Sequence, residues 1–169
     1  ASPRPCRPGS QRRTRRVAKQ AAGILLFRRR GTELHVLLAH PGGPLWARKD
    51  AGAWTIPKGQ FLNDELPLDA AKREFEEEMG SAPRGEFLPL GSIKQPSGKV
   101  IHVWAAESEF DVTTAHSNLF ELEWPPKSGR MAEFPEVDRA EWYSLPEARL
   151  KIINGQAPFL ERLLALVGA

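Results

Sequence analysis

The sequence predicts an α/β protein in which a mixed β-sheet lies between helices. Three observations predict this class. Short apolar runs typical of buried strands recur along the chain, one strongly patterned helix lies near its middle, and two further helical patterns close it. The length of 169 residues corresponds to about one domain, and the sequence shows no internal repeat.

Positive charge is concentrated at the N-terminal end of the chain. Ten of the 24 lysines and arginines fall within residues 1–30, which hold no acid, so the rest of the chain carries 14 basic and 21 acidic groups. Residues 1–18 are rich in Pro and Arg and nearly free of apolar side chains, so they cannot build a core. We therefore expect a basic extension over residues 1–18 and one folded domain over residues 19–169.

This charge distribution indicates which kinds of binding partner are expected. An acidic body repels phosphate unless cations intervene, so nucleic acid is expected to bind, if at all, through the basic extension. An Arg-rich, acid-free start is also a feature of transit peptides, but no amphipathic helical spacing is evident in it. A small-molecule substrate is the partner that the rest of the sequence favours.

Cysteine content and hydropathy exclude several classes of protein. The single cysteine, Cys6, excludes an intramolecular disulfide and a Cys-rich zinc site, and it favours a reducing compartment. No apolar run approaches the roughly 18 residues of a membrane-spanning helix. We expect a cytoplasmic protein without a membrane partner, and the oligomeric state is left open.

The first predicted elements form a β-hairpin. Residues 21–27 and 34–39 are apolar runs separated by a turn around Gly31. The run Pro41-Gly42-Gly43-Pro44 then ends the second strand and opens a long loop that contains Trp46.

The clearest helix of the chain is predicted over residues 67–79. Pro67 suits the first helical position, Asp69 lies in the first turn, and Gly80 suits the residue that ends the helix. The other elements are expected as strands at 54–56, 87–93, 100–106, 120–124 and 140–143, and as helices at 146–152 and 158–167.

Three glutamates lie on one face of the central helix. At roughly 100° per residue, Glu74, Glu77 and Glu78 fall within one sector, whereas Glu76 lies on the far side and is expected to face solvent. Arg73 borders this sector. An acidic helix face is most often a solvated surface, although like charges at this spacing destabilise a helix. The alternative is a site for a hard cation, because carboxylates suit Mg²⁺ or Mn²⁺ and no zinc-preferring His or Cys is among them.

The residues around this helix resemble a known motif. The motif is the Nudix box, GX5EX7REUXEEXGU, where U is a bulky apolar residue, and the matching positions are Gly59, Glu65, Arg73, Glu74, Phe75, Glu77, Glu78 and Gly80. The last apolar position is Ser81, which departs from the pattern. At about 6–7% usage per residue type, the seven fixed matches arise by chance less than about once in a million sequences. The sequence therefore resembles the Nudix hydrolase family.

The resemblance implies a fold, a reaction and a cofactor. It implies an α/β/α sandwich over roughly residues 19–167, and hydrolysis of a nucleoside diphosphate linked to a moiety X. The implied cofactor is Mg²⁺ or Mn²⁺, which neutralises phosphate oxygens and lowers the pKa of water. The implied metal-binding residues are the Gly59 carbonyl, Glu74, Glu77 and Glu78. Glu74 is alternatively the base that activates water, Arg73 would orient Glu74, and Glu65 would hold the preceding loop against the helix.

Five further residues are weaker candidates. The family often draws an additional metal-binding acid from a loop before a late strand, where Glu136 fits, Glu133 competes and an ordinary loop carboxylate is the alternative. Lys58, in the predicted loop beside the box, and Lys99, in a later turn, are candidates for phosphate contacts or ordinary surface lysines. Trp46 is a candidate for stacking on the substrate or a core residue. The four histidines lack metal-site or triad-like neighbours in the sequence and are expected to be structural or exposed.

Substrate choice rests on loops outside the box. Residues 42–46 and 122–126 resemble a bacterial MutT-like group of predicted nucleoside-triphosphate pyrophosphohydrolases. The expected substrates are nucleoside or dinucleoside polyphosphates, such as nucleoside triphosphates or diadenosine polyphosphates. Oxidised deoxynucleoside triphosphates come next, and ADP-ribose follows. A catalytically silent Nudix-fold binding module is the alternative function, against which the intact acids argue.

Overall fold

The computed structural model describes residues 19–62 and 64–168. The predicted basic extension over residues 1–18, with Cys6, lies outside the described residues. The strands are β1 (Gln20–Arg30), β2 (Glu33–Pro41), β3 (Lys58–Phe61), β4 (Leu88–Lys94), β5 (Val100–Glu107), β6 (Leu119–Glu123), β7 (Met131–Pro135) and β8 (Val137–Ser144). The α-helices are α1 (Pro67–Met79), α2 (Leu145–Lys151) and α3 (Ala157–Val167).

A six-stranded mixed sheet organises the fold, as predicted. Its strand order is β4-β5-β1-β2-β8, and β3 pairs with the first part of β1. The pairing of β1 with β5 is parallel and the others are antiparallel. β6 and β7 form a separate two-stranded sheet. Seven consecutive residues of β1 are buried, which is typical of a strand that is covered on both faces.

Helices cover both faces of this sheet. On β1, Leu25 lies in the apolar cluster that contains Phe159 and Leu160 of α3. The neighbouring Ile24 points to the other face, into the cluster that contains Phe75 of α1. This alternation follows from the two-residue period of a strand and yields the predicted sandwich, with α1 on one face and α2 and α3 on the other.

Most predicted elements are present, with ends shifted by at most three residues. The prediction is wrong at β3, which was assigned to a loop, and it omits β7. β3 pairs with residues 20–23 of β1, and β7 pairs with β6. The amino-acid composition of these two segments does not favour a strand. Each is a strand because it pairs with the edge of a neighbouring strand. Residues 54–56, expected as a strand, contribute only isolated bridges to Ala39 and Ile152.

Helix α1 has the predicted bounds. Pro67 lies in its first turn, and Gly80 ends it in the left-handed region at a φ of 86°, with its amide donating to the Glu76 carbonyl. A Cβ on Gly80 would also lie 2.4 Å from Nδ1 of His116, so only glycine suits this position. No helix in the described part of the chain is long and apolar enough to cross a membrane.

Candidate active site

Helix α1 presents its glutamates at different depths. Glu74 is buried, with 8% of its surface exposed, and Glu77 and Glu78 are half-buried. Glu76 is exposed, as predicted from its position on the far side of the helix. The helix therefore carries three of its four glutamates toward the protein and one toward solvent.

Arg73 connects the loop before α1 to two of these glutamates. Its Nε and Nη2 each donate to a carboxylate oxygen of Glu65 at 2.9 Å. Its Nη1 donates to Oε1 of Glu74 at 2.8 Å and to Oε1 of Glu77 at 3.2 Å. The hydrogen bonds from Arg73 lower the pKa of Glu65, so that carboxylate stays ionised and the two-pronged contact persists. These contacts link loop and helix as the box resemblance implies.

Strand β3 lies against the same glutamates. A Cβ built on Gly59 would lie 1.8 Å from Oε2 of Glu74, so no residue other than glycine allows this carboxylate its position. The amide of Lys58 donates to Oε2 of Glu78 at 3.1 Å. Lys58 and Gly59 thus approach α1 from a strand, where the sequence predicted a loop.

A fourth carboxylate, Glu136, comes from a distant part of the chain, and its charge acts on the α1 glutamates. Glu136 is the single residue between β7 and β8. Its amide donates to the Asn118 carbonyl at 2.9 Å, and its carbonyl accepts from the amide of Gly42 at 3.0 Å. The competing Glu133 lies within β7, opposite Glu121 of β6. Of the two candidates, Glu136 has the position at the head of β8.

The charges of Glu74, Glu77 and Glu136 influence the pKa values of Glu74, Glu78 and Glu136. Burial raises the pKa of Glu74. The hydrogen bond and charge of Arg73 partly offset this rise, and the negative charges of Glu77 and Glu136 add to it. Burial raises the pKa of Glu78 to about 8, and the charges of Glu74 and Glu136 add to that effect. Burial, followed by the charge of Glu77, raises the pKa of Glu136. We call Glu74, Glu77, Glu78 and Glu136 the carboxylate cluster.

The donor chemistry of the carboxylate cluster fits a hard divalent cation. Every candidate ligand is an oxygen, and the desolvated, mutually repelling carboxylates would gain from a positive charge between them. Within residues 19–62 and 64–168, no three His, Cys, Asp or Glu side chains are already gathered as a ligand set. Arg73 holds Glu74 and Glu77, and the Lys58 amide holds Glu78. An ion would therefore compete with these contacts.

Lys99 lies near both Lys58 and Lys19. Burial lowers the pKa of the Lys99 ammonium, and the nearby charges of Lys58 and Lys19 lower it further. Lys19 directly precedes β1, and Lys99 directly precedes the adjacent strand β5. The Lys19 carbonyl accepts a hydrogen bond from the amide of Val100. The sequence analysis named Lys58 and Lys99 but not Lys19, for which the sequence gives no local signal.

An apolar cleft adjoins the carboxylate cluster at Glu136. The cleft has a volume of about 250 Å³ and is lined by residues 41–46, by Phe120 and Leu122 of β6, and by Glu136. Trp46 is part of this lining, and the Lys49 ammonium lies 4.7 Å from its ring centroid. Two segments expected to select the substrate thus meet in one cleft. Phe120 was missed as a site residue, although alternation along β6 turns it inward.

The loop that carries Trp46 is fixed by a buried histidine. His40 is fully buried, with Nδ1 2.9 Å from Oδ1 of Asp138 and Nε2 2.6 Å from the Lys49 carbonyl. Its ring also packs edge-on against Trp54, a fully buried core residue. His40 therefore has a structural role, as expected.

Comparison with known proteins agrees with this geometry. The family model of the NUDIX domain matches residues 17–163. The chain belongs to the NUDIX family. The NUDIX domain supports a pyrophosphohydrolase, and Nudix hydrolases generally use divalent metal ions.

Individual NUDIX relatives show how far the likeness extends. A nucleoside triphosphate pyrophosphatase/Nudix hydrolase fusion protein of Bifidobacterium longum is 33% identical over 93 residues, which is 53% of this chain but 18% of that protein. A C. elegans Ap4A hydrolase in a binary complex has a TM-score of 0.60 at 21% identity, over 87% of this chain and 97% of that one. The NUDIX domain of Shewanella oneidensis NrtR, complexed with ADP ribose, has a TM-score of 0.59 at 14% identity, over 89% of each chain. At these identities the two structures establish the shared fold.

The NUDIX assignment confirms the family inferred from the box. The one departure from the NUDIX box, Ser81, is exposed just after α1, so it leaves the apolar contacts of Phe75 and Met79 intact.

Proposed function

We propose that the protein hydrolyses a phosphoric anhydride bond in a nucleoside or dinucleoside polyphosphate, with a divalent metal ion held by the carboxylate cluster. The observation that carries this proposal is the cluster itself. Two distant parts of the chain bring four carboxylates together beside Gly59, in a partly desolvated place with an apolar cleft at one side.

The ligand set follows from the donors present. Glu77, Glu78 and the carbonyl of Gly59 would hold the ion, and Glu136 would add an oxygen from the head of β8. A bound Mg²⁺ or Mn²⁺ supplies charge neutralisation on the phosphate oxygens and acidifies water. Glu136 is preferred to Glu133 because its charge acts on the α1 glutamates.

Glu74 is proposed as a further ligand or as the base that activates water. Its Oε1 accepts from Arg73, and this guanidinium favours the ionised carboxylate that a base requires. As base, Glu74 takes a proton from water while the water oxygen forms a bond to phosphorus. The bridging P–O bond breaks, and its electron pair leaves with the departing phosphate. Arg73, fixed by Glu65, positions Glu74 for this step.

Substrate contacts are proposed on both sides of the carboxylate cluster. Lys58 and Lys99 would bind phosphate oxygens, since both ammonium groups lie close together and Lys58 adjoins Glu78. Trp46 would contact the organic part of the substrate in the cleft. The C. elegans neighbour is an Ap4A hydrolase and the Shewanella NUDIX domain is complexed with ADP ribose, which supports this substrate class. Oxidised deoxynucleoside triphosphates and ADP-ribose are the next candidates.

A substrate panel tests the proposal. Nucleoside triphosphates, diadenosine tetraphosphate, an oxidised deoxynucleoside triphosphate and ADP-ribose are incubated with the full chain and Mg²⁺ or Mn²⁺, and released phosphate, pyrophosphate and nucleotides are measured. We expect metal-dependent turnover of the polyphosphates, abolished in a Glu77→Gln/Glu78→Gln double variant. Nucleotide binding without turnover of any compound would instead identify a silent binding module.

The remaining predictions concern the cellular setting. The single cysteine favours a reducing, cytoplasmic compartment, and this location stays a prediction. Nucleic-acid binding would require residues 1–18 and would show a steep salt dependence.

A further inference from the structure

A groove lies between the end of β3 and the start of α1. It has a volume of about 590 Å³ and is lined by residues 60–62, 64–66, 69 and 73. Two of these lining residues, Leu62 and Leu66, expose 77% and 70% of their surface. Apolar side chains as exposed as these would gain free energy from being covered. We call this place the β3–α1 groove.

The β3–α1 groove also carries negative charge. Asp64, Glu65 and Asp69 are among its lining residues, together with Arg73. The Arg73 guanidinium is already bound to Glu65 and to two glutamates of α1. Asp64 and Asp69 are exposed, and neither forms a salt bridge with any residue within 19–62 and 64–168. The described part of the chain therefore leaves two negative charges beside the exposed leucines.

The chain that precedes β1 enters the sheet beside this groove. β1 and β3 are antiparallel, with Gln20 opposite Phe61. The chain that runs back from Gln20 therefore starts alongside the chain that runs forward from Phe61, and the residues after Phe61 line the groove. Residues 1–18 are thus tethered at the end of the sheet where the β3–α1 groove lies.

The charge of the tethered segment is opposite to that of the groove. Residues 1–18 hold no acid, and four arginines fall within the seven residues before Lys19: Arg12, Arg13, Arg15 and Arg16. Seven residues reach at most about 25 Å when extended, which exceeds the length of about 20 Å for the whole of α1. On the other side of β1, strand β5 is preceded by Lys99, whose charge repels arginine. Charge therefore favours the groove side of β1.

We propose that residues 12–17 of this chain bind in the β3–α1 groove of the same molecule. Arginine guanidinium groups would pair with Asp64 and Asp69, and their aliphatic stems would cover Leu62 and Leu66. Exposed ion pairs are individually weak, but a tethered segment has an effective concentration on the order of millimolar at a nearby site. The groove thus needs only modest affinity to hold the segment.

A nitroxide spin label at position 14 tests this docking in the whole chain. A Cys6→Ser/Thr14→Cys variant carries the label between two pairs of arginines, and broadening of backbone amide signals reports which residues lie near it. At low ionic strength we expect the strongest broadening at residues 60–62 and 64–69. Salt at roughly 1 M, where the screening length is about 3 Å, should restore these signals. Strongest broadening at residues 74–78 or 136, or no localised broadening, would overturn the proposal.

Substitutions in the groove provide the second test. Asp64→Asn/Asp69→Asn should abolish the localised broadening. Glu76→Gln/Glu86→Gln, which removes the same charge from two exposed positions outside the groove, should leave it unchanged. If the groove variant does not fold, Arg15→Gln/Arg16→Gln in the labelled chain tests the same contact from the other side. Equal broadening in the unmodified groove and in either of these groove or arginine variants would contradict the proposed pairing.

A mixing experiment distinguishes docking within one molecule from exchange between copies. Isotope-labelled chain without the nitroxide is mixed with spin-labelled chain that carries no isotope. Docking within one molecule predicts no broadening of groove signals in this mixture. Broadening of those signals would show that the segment occupies the groove of a second copy, and it would overturn the proposal.

Discussion

The two halves of the site are encoded in different ways. The side formed by β3 and α1 comes from one continuous stretch, residues 58–80, in which Arg73 connects Glu65, Glu74 and Glu77. The cleft side is assembled from residues 41–46, β6 and Glu136, which are far apart in the chain. Under the proposed function, the chemistry would be carried by a local unit with fixed internal spacing, and substrate selection by loops that only tertiary structure brings together. Substitutions should separate the two: the first side should control turnover, and the second should control affinity.

The largest effect is expected at Glu78. Glu78→Gln removes a charge from the carboxylate cluster and should lower kcat by more than about 100-fold, above the 10–100-fold typical of groups that only support metal ligands. Steady-state kinetics with Mg²⁺ measure this. Glu76→Gln is the matched control, since the same change on the exposed face of α1 should be nearly neutral. Equal losses in both variants would contradict the division of the helix into an active and a solvent face.

A somewhat smaller effect is expected at Gly59. In Gly59→Ala the new Cβ would overlap Oε2 of Glu74, so that carboxylate must move. Misplacement of a reacting group by about 1 Å can lower a rate by about 100-fold, and we expect kcat to fall by up to this factor. The melting temperature should be measured alongside. Gly155→Ala, whose Cβ meets only the flexible end of Gln95, is the control for adding a methyl group. Unchanged kcat in Gly59→Ala would show that Glu74 does not take part.

Lys99 should affect affinity for phosphate-rich substrates. Lys99→Gln removes a charged donor and should raise the KM for a nucleoside triphosphate about tenfold, the scale of a charge-assisted hydrogen bond, with little change in kcat. Lys94→Gln makes the same charge change at an exposed position on β4. If both variants raise KM equally, the effect reflects net charge alone, and the assignment of Lys99 to substrate binding fails.

The smallest expected effect is a pH dependence of stability in the metal-free protein. The pKa of Glu78 in the folded chain is about 8, against an ordinary value of 4.5, so the folded state binds more protons than the unfolded state between these limits. The stabilisation from protonated Glu78 is complete below pH 4.5, declines as the pH rises, and is lost above pH 8. Urea unfolding in EDTA from pH 5 to 8 should show this decline, and Glu78→Gln should make it shallower. If the free energy of unfolding changes equally with pH in the unmodified chain and in Glu78→Gln, Glu78 is ionised over the whole range from pH 5 to 8.

The sequence predicted the geometry of helix α1 well. Helix α1 begins at Pro67 and ends at Gly80 as expected, because a proline in the first turn and a left-handed glycine at the end are requirements of the backbone itself. The spacing of Glu74, Glu77 and Glu78 fixes their common face by helix geometry alone. These features need no knowledge of the rest of the chain.

Features that depend on tertiary contacts were harder to predict. β3 is a strand because residues 20–23 of β1 offer it an edge, and its own sequence, KGQF, does not suggest one. Phe120 lies in the cleft only because Gly42 and Gly43 pack closely on β6 and its neighbour. The choice between Glu136 and Glu133 depended on where β7 ends, and β7 itself was not predicted.

The position of Glu136 has a thermodynamic consequence. It is the one residue between β7 and β8, its backbone is hydrogen-bonded on both sides, and its side chain borders both the cleft and the α1 glutamates. Under the proposed function, a substrate in the cleft and an ion on the glutamates would both contact this one residue. Their binding free energies cannot be independent, and reciprocity requires that whatever factor the nucleotide adds to metal affinity, the metal adds to nucleotide affinity. Under the proposed function, Glu136 would thus couple the binding of the metal ion to the binding of the nucleotide.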